Sequence, residues 1–231
     1  MINFEYELDA DQQVFVREIL SPVKKVIFSN SGAGTGKTTI AMGAANILVD
    51  DKRNDYDGIV YVVSPYGEQR QGYLKGDLRE KSEVYYEPAY QAMNENGMRP
   101  GSDISHETLS SKKYEKGYVK PMTHTFMRGI NVKNKVIIID EAQNYTVPEL
   151  KKVLTRIHDS CKVIVIGHTG QIDISGKSGF ADYIEHYRPD ERCAVCNLTI
   201  SHRGWIATHA DALDERKVVE RKMIMRDGDY A

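Results

Sequence analysis

A glycine-rich segment between an apolar run and a helical pattern constrains this chain more than any other feature. Residues 31–39 read SGAGTGKTT, directly after the strand-like run Val23–Ser29 and directly before a helical pattern over Lys37–Asp50. The segment matches the phosphate-binding consensus G-x-x-x-x-G-K-[ST], except that Ser31 stands in place of the first glycine. The match predicts a strand, a phosphate-binding loop (P-loop) and a helix in succession.

Each part of this loop has a physical task. Glycines let backbone N–H groups turn inward around phosphate oxygens, and the N-terminus of the next helix adds positive potential. Lys37 is expected to reach the β- and γ-phosphates, and the Thr38 hydroxyl to bind Mg²⁺. A chance match in a glycine-rich turn is the alternative, which the flanking strand and helix disfavour. The nucleotide-binding residues expected here are Ser31, Gly32, Ala33, Gly34, Thr35, Gly36, Lys37, Thr38 and Thr39.

A second chemical signal is an acidic pair at the end of an apolar run. Residues 136–144 read VIIIDEAQN, so that Asp140 and Glu141 follow a strand-like stretch. In a P-loop protein, an aspartate at such a strand tip holds Mg²⁺. The next carboxylate, Glu141, is placed to orient and deprotonate an attacking water. The alternative is that both acids are solvated and cap the next helix.

The remaining pattern alternates strands with helices, which predicts a parallel sheet in an α/β fold. A capping box, Thr146-x-x-Glu149, introduces a helix predicted over Pro148–His158. Residues 66–122 break the rhythm and are interpreted as an insertion, helical around Leu74–Met93 and polar over Asn94–Lys120, within a single domain spanning residues 1–231. The further strands are predicted at Gly58–Ser64, Lys135–Ile139, Lys162–Ile166 and Ala194–Ile200.

Composition excludes several classes of protein. The chain has 231 residues, 41% of them hydrophobic, and a net charge of -2, so bulk charge does not indicate a nucleic-acid binder. Its strongest apolar runs have four residues, whereas a membrane span needs about 20. The N-terminus is acidic and lacks the apolar run of a secretion signal. Three cysteines fit a reducing compartment, so a cytoplasmic protein is expected.

Several blocks of sequence together resemble the PhoH-like P-loop ATPase family, which is related to the cores of superfamily-one helicases. Residues 125–173 carry the blocks FMRG, DEAQN, LTR and G-x-x-x-Q-I-D in order, and residues 72–90 add GYLKGDLREKSEVYYEPAY. The resemblance implies a RecA-like P-loop NTPase fold, a three-layer sandwich around a mainly parallel sheet. It also implies binding of ATP with Mg²⁺ and hydrolysis to ADP and phosphate.

The resemblance also assigns roles to single residues. It makes Lys37 and Thr38 the P-loop ligands, and Asp140 and Glu141 the acidic pair. Gln171 resembles a glutamine that senses the γ-phosphate, and Arg203 an arginine that stabilises the transferring phosphate. Gln12 resembles a glutamine that recognises adenine, with a solvated helix residue as the equal alternative. One departure is His168, where the family usually has aspartate; it predicts altered catalytic coupling, or merely a loop residue beyond the strand.

Two further hypotheses concern partners. A stretch without acids contains Lys116, Lys120, Arg128, Lys133 and Lys135, with Tyr118 and Phe126 interleaved. It is the best candidate for contacting single-stranded RNA or DNA, although a solvated face is the alternative. Arg156, after the acidic motif, could act as an arginine finger on the ATP of a neighbouring subunit in a hexameric ring, or be a surface arginine.

Rival functions remain open at this point. Ser31 and His168 favour a non-hydrolysing, nucleotide-dependent RNA-binding module or scaffold over an ATPase. A kinase acting on a small molecule is opposed by the DEAQN and G-x-x-x-Q blocks. Cys193-x-x-Cys196 with His202 raises a zinc site, but without a second pair structural cysteines are the better interpretation.

Overall fold

The strands of the computed structural model, which describes residues 4, 6–65, 83–105 and 117–210, form one parallel sheet. The strands are β1 (Val26–Asn30), β2 (Ile59–Val63), β3 (Val119–Thr123), β4 (Val136–Asp140), β5 (Lys162–Gly167) and β6 (Cys193–Cys196). Their order is β3-β2-β4-β5-β1-β6, with every neighbouring pair parallel. β5 therefore lies between the strand before the P-loop and the strand that ends at Asp140.

Helices cover both faces of this sheet. They are α1 (Ala10–Leu20), α2 (Lys37–Asp50), α3 (Glu87–Glu95), α4 (Pro100–Asp103), α5 (Val147–Leu154) and α6 (Phe180–Tyr187). Short 3₁₀ helices occupy Val84–Tyr86, His124–Met127 and Ala142–Asn144. Within the described ranges, each helix is too short, or too polar, to cross a lipid bilayer.

Two apolar clusters, one on each face, account for the three layers. The first contains Phe15 of α1, Ile40 of α2 and Ile138 of β4, all fully buried. The second contains Ile137 of β4 and Phe180 of α6, also fully buried. Successive strand residues point to opposite faces, so the continuously apolar β4 supplies both clusters. The predicted three-layer α/β sandwich with a parallel sheet is confirmed.

The predicted bounds of α2, β2, β4 and β5 agree with the structure within one residue, whereas β1 begins at Val26 and not at Val23. The helices α1 and α6 were not predicted. The helix over Lys37–Asp50 is confirmed at both ends. The capping box is also confirmed, because Glu149 Oε2 accepts from the backbone N of Thr146 at 2.8 Å. The predicted end of this helix at His158 is wrong: α5 ends at Leu154, and His158 N instead donates to Val132 O at 2.9 Å.

The last predicted strand extends too far along the chain. It was expected over Ala194–Ile200, whereas β6 ends at Cys196. The chain leaves the sheet there because the backbone N of Leu198 donates to Ser31 Oγ at 2.8 Å. The segment after β6 is thereby drawn toward the P-loop.

The predicted insertion falls only partly within the described residues. Residues 66–82 and 106–116, which include the start of its predicted helix, lie outside them. α3 agrees with the predicted helical half. The polar half was expected to reach Lys120, but β3 begins at Val119 and pairs with β2. Pro121 hides this strand in the sequence, since proline is confined to sheet edges, where β3 lies.

Candidate active site

The P-loop joins β1 to α2 at the carboxyl end of the sheet. Gly34 and Gly36 have φ values of 73° and 76°, a left-handed conformation that favours glycine. α2 begins at Lys37 without a side-chain cap, so its first N–H groups face the loop. The Lys37 ammonium group donates to Gly32 O at 3.3 Å. A left-handed glycine loop with an uncapped helix N-terminus is a ready anion site.

Ser31, the departure from the consensus, is a structural anchor of this loop. Its side chain is buried, and its hydroxyl lies 2.7 Å from Ser29 Oγ while accepting from Leu198 N. A glycine could make neither contact. Ser31 thus ties the base of the P-loop both to β1 and to the segment after β6.

Asp140 is held beside the P-loop by three donors. Thr38 Oγ1 and the Tyr61 hydroxyl both donate to its Oδ2, at 3.0 and 2.7 Å. The backbone N of Glu141 donates to Oδ1 at 2.7 Å. Asp140 is 1% exposed, so the alternative of a solvated capping acid is wrong for this residue. For Glu141, which is exposed and directly precedes the 3₁₀ helix Ala142–Asn144, that alternative stays open. The hydroxyl and carboxylate oxygens are ligands suited to Mg²⁺.

Glu141 combines backbone strain with a perturbed charge. Its φ and ψ are 50° and 42°, a left-handed conformation that costs about 1–2 kcal/mol for a residue with a side chain. Glu141 as a whole is exposed, but partial loss of water around its carboxyl group raises the pKa of this group. The charge of Asp140 raises it further, against the opposing effects of Gln143 and Lys37. A carboxylate with a raised pKa is a better proton acceptor near neutral pH.

Three residues of this site escaped the sequence analysis. Tyr61 lies within the apolar run of β2. It could have been identified from the sequence because a buried tyrosine hydroxyl needs a hydrogen-bond partner. Gln143 Nε2 donates to Glu141 Oε2, and its Oε1 accepts from His168 N at 3.0 Å. Asn144 exchanges two hydrogen bonds with Asp173, at 3.2 and 3.0 Å. The DEAQN block therefore links β4 to the segment after β5.

That segment carries Gln171 and His168. Gln171 is exposed, and its backbone N donates to His168 O at 3.1 Å, which forms a turn beyond β5. The His168 ring lies beside Gly170, and among the described residues its Nδ1 is buried without a hydrogen-bond partner. The contact of Gln171 with a γ-phosphate, and the effect of His168 on coupling, remain predictions.

Arg203 and Gln12 both contact the P-loop. A Cβ at Gly34 would lie 2.3 Å from Arg203 Cγ, so the stem of this arginine covers the loop. Gln12 is 4% exposed; its Nε2 donates to Thr35 O at 3.1 Å and its Oε1 accepts from Asp9 N at 3.0 Å. The solvated alternative for Gln12 is therefore wrong. Recognition of adenine stays a prediction; the amide keeps one N–H donor and one acceptor lone pair for it.

Arg156 is not brought together with the P-loop of its own chain. It is exposed after α5, and its carbonyl accepts from Val132 N at 2.8 Å. Val132 precedes β4, whereas Asp140 ends it. Arg156 therefore lies toward the opposite end of the sheet, and any contact with a bound nucleotide would have to be made with another subunit.

The basic stretch does not form one continuous surface. The prediction that Lys135 contacts nucleic acid is wrong, because the residue is 5% exposed and its Nζ pairs with Asp57 Oδ1 at 2.7 Å. Lys120 lies in β3, and Arg128 and Lys133 are exposed in the connection between β3 and β4, while Lys116 lies outside the described residues. Of the interleaved aromatics, Phe126 is 48% exposed. Tyr118 is half-buried and its hydroxyl donates to Asn46 at 2.8 Å.

Cys193 and Cys196 lie on opposite faces of the sheet. Cys196 packs in the first apolar cluster, whereas Cys193 lines a cavity with Ile157 and Tyr187 on the other face. In the described part of the chain, no group of three histidine, cysteine or acidic side chains is placed to hold a metal ion. The separation of the two side chains favours the interpretation as structural cysteines.

Comparisons with known proteins agree with this geometry. The sequence is 34% identical over 177 residues to protein PhoH of Escherichia coli K12, covering 74% of this chain and 47% of that protein. It is 33% identical over 195 residues to a PhoH-like protein of Mycobacterium leprae, covering 82% and 53%. The chain thus spans about half the length of the curated relatives it matches.

Solved structures support the fold. The large terminase of bacteriophage HK97 matches with a TM-score of 0.54 at 13% identity, over 84% of this chain and 39% of that one. The large terminase of a thermophilic bacteriophage gives 0.51 at 14%, over 84% and 46%. This likeness supports the RecA-like P-loop fold. Because the model of the PhoH-like protein family also matches residues 7–203, this chain belongs to that family.

Proposed function

We propose that this protein binds ATP with Mg²⁺ and hydrolyses it to ADP and phosphate. The observation that carries the proposal is the 3.0 Å contact between Thr38 Oγ1 and Asp140 Oδ2, with Glu141 directly beside it. A candidate magnesium ligand of the P-loop, a candidate magnesium ligand of β4 and a candidate base therefore lie side by side. Nucleotide-binding folds that hydrolyse ATP need these three functions together.

The glycines and the lysine suit this loop to a chain of phosphates. Gly34 and Gly36 both have positive φ, and a Cβ would lie 2.3 Å from Arg203 Cγ at Gly34 or 3.2 Å from Gln12 Nε2 at Gly36, so glycine is favoured at both positions. The hydrogen bond from Lys37 to Gly32 O is long, at 3.3 Å, and an ammonium group has three donors. Lys37 can therefore exchange this carbonyl for phosphate oxygens.

The chain's own residues would divide the reaction as follows. Thr38 and Asp140 would hold Mg²⁺, which when bound neutralises phosphate charge in the transition state. Lys37 would bind the β- and γ-phosphates. Glu141 would accept a proton from the attacking water, and its raised pKa favours this role. Gln171 and Arg203 would contact the γ-phosphate from the segments after β5 and β6.

Phosphate release from Mg·ATP tests the proposal. We expect Lys37→Ala to abolish ATP binding, and Glu141→Gln to bind ATP but lose turnover. Lys177→Ala and Glu185→Gln, both exposed and on the segment before α6 or on α6 itself, are the matched controls. Tight ATP binding without turnover by the unmodified protein would instead support the non-hydrolysing RNA-binding module. The anchoring role of Ser31 removes one of the two arguments for that rival.

We further propose that turnover is coupled to single-stranded RNA or DNA through the exposed part of the basic stretch. Arg128 and Phe126 lie two residues apart and are both exposed, so that a guanidinium group and an aromatic ring are available to a phosphate and a base. The test is ATPase activity with and without poly(U) or poly(dT). Stimulation that Arg128→Ala removes supports coupling, and an unchanged rate opposes it.

A further inference from the structure

Gln143 occupies a buried position between the acidic pair and the segment after β5. It is 2% exposed, and both ends of its amide are engaged: Nε2 with Glu141 Oε2, and Oε1 with His168 N at 3.0 Å. The reverse amide orientation would place oxygen against the carboxylate and NH₂ against an N–H. The partners therefore determine the orientation, and only glutamine supplies both groups at this length.

Gly167 makes room for this amide. A Cβ at Gly167 would lie 2.6 Å from Gln143 Oε1, closer than any side chain tolerates. Its φ is not left-handed, so the glycine supplies space rather than an unusual backbone conformation. The last residue of β5 and the side chain of Gln143 thus fit one another.

The amide completes a continuous path of contacts. Gln143 donates to the Glu141 carboxylate and accepts from His168 N. His168 O in turn accepts from Gln171 N at 3.1 Å. Among the described residues, Gln143 is the side chain that hydrogen-bonds the Glu141 carboxylate. A carboxylate on a left-handed backbone has several rotamers available, and this bond selects one of them.

We propose that Gln143 is a positioning residue, which fixes the Glu141 carboxylate for its water and couples that position to the turn carrying Gln171. The proposal rests on the proposed ATP hydrolysis with Glu141 as the base. It predicts that Gln143 contributes to the rate of the chemical step and not to the affinity for ATP, because it bonds no residue of the P-loop.

The first experiment is steady-state ATPase kinetics of Gln143→Met. Methionine keeps the length and suits a buried site but lacks both amide groups. We expect kcat to fall about tenfold to a hundredfold with KM for ATP unchanged, since displacement of a catalytic group by about 1 Å can cost that much. Gln143→Glu, of equal length, should lose kcat as well because it places a second anion against Glu141. The matched control is Gln91→Met on the exposed side of α3, which should keep both constants.

A second experiment displaces the amide without changing it. Gly167→Ala should lower kcat through the 2.6 Å contact, whereas Gly176→Ala, where a Cβ meets only Thr146 at 3.7 Å, should not. In a Gln143→Ala background, Gly167→Ala should cost clearly less, because the 2.6 Å contact is gone and only the contacts with the backbone N of residue 143 and with Phe180, both 3.1 Å, remain. A purely structural effect of Gly167 would appear at full size in both backgrounds and would count against the proposal.

The outcomes distinguish failure of the positioning role of Gln143 from failure of the proposed ATP hydrolysis. If the unmodified protein releases no phosphate from Mg·ATP, the proposed function fails. If it turns over ATP and Gln143→Met keeps its kcat, or loses kcat and ATP affinity in proportion, the positioning role alone is overturned. Loss of kcat at constant KM, together with non-additive Gly167→Ala, establishes it.

Discussion

Tyr61 donates its hydroxyl hydrogen to Oδ2 of Asp140 across 2.7 Å, from the middle of one strand to the end of its neighbour. Tyr61 is fully buried, and burial, followed by the charge of Asp140, raises the pKa of its phenol well above the ordinary value. The phenol therefore stays a neutral donor throughout the physiological range. The same carboxylate oxygen accepts from Thr38, so that a residue of the core helps to aim a metal ligand.

Tyr61→Phe should weaken the binding of Mg²⁺ without unfolding the protein. The substitution keeps the ring and removes one bond to a charged acceptor, worth about 1.5–3 kcal/mol. We expect the Mg²⁺ concentration for half-maximal ATPase activity to rise roughly tenfold, with a smaller loss of rate at saturating Mg²⁺. Tyr183→Phe, whose hydroxyl lies 3.5 Å from its acceptor, serves as control. An unchanged Mg²⁺ titration would contradict a role of Tyr61 in orienting Asp140.

The sequence predicted those parts of the site that local pattern determines. The P-loop, the acidic pair and the capping box each follow from residues within nine positions of one another. The site roles of Tyr61, Gln143 and Asn144 were not predicted, because they depend on which strands become neighbours. Tyr61 reaches Asp140 only because β2 lies beside β4, and Gln143 reaches His168 only because β5 lies on the other side.

The errors in the predicted fold have a similar origin. β6 was extended to Ile200 because its sequence favours a strand, but a hydrogen bond to distant Ser31 bends the chain away at Leu198. Lys135 was assigned to a basic surface because the sequence shows charge and not burial. Its partner, Asp57, lies 78 positions earlier along the chain.

Restoring the consensus glycine at Ser31 should destabilise the protein. Ser31→Gly removes the acceptor of the Leu198 N–H in a buried place and adds backbone freedom to the unfolded chain. We expect the free energy of unfolding in urea to fall by about 1–3 kcal/mol. Ser31→Ala should show most of the loss, which separates the missing hydroxyl from the added flexibility. Wild-type stability in both variants would contradict the anchoring role.

The charge of Glu141 should make stability depend on pH. Its folded pKa is raised above the unfolded value, so the folded state binds this proton more tightly than the unfolded state does. The resulting stabilisation is present below the ordinary pKa and is lost as pH rises through the folded pKa. Glu141→Gln, which carries no charge, should therefore gain stability over the unmodified protein as the pH rises from about 4 to about 7, with Mg²⁺ absent. Urea titrations at the two pH values measure this difference, and an equal difference at both would oppose it.

The two candidate arginines should behave differently in mixed assemblies. Arg203 covers the P-loop of its own chain, whereas Arg156 lies toward the opposite end of the sheet. A head-to-tail contact would bring Arg156 to a neighbour's nucleotide, and such contacts form a ring when they close. We expect the protein to sediment as an oligomer, with a hexamer as the expected ring. Arg156→Ala should keep ATP affinity and lose turnover by up to about 10³-fold, and mixing it with Lys37→Ala subunits should restore part of the rate.

Arg203→Ala should not be rescued by mixing with Lys37→Ala subunits, because each Arg203→Ala subunit would still lack the arginine over its own P-loop. Arg188→Ala, directly after α6, is the control and should keep the full rate. A monomer with full ATPase activity at every concentration in the analytical ultracentrifuge would refute the contribution of Arg156 across subunits.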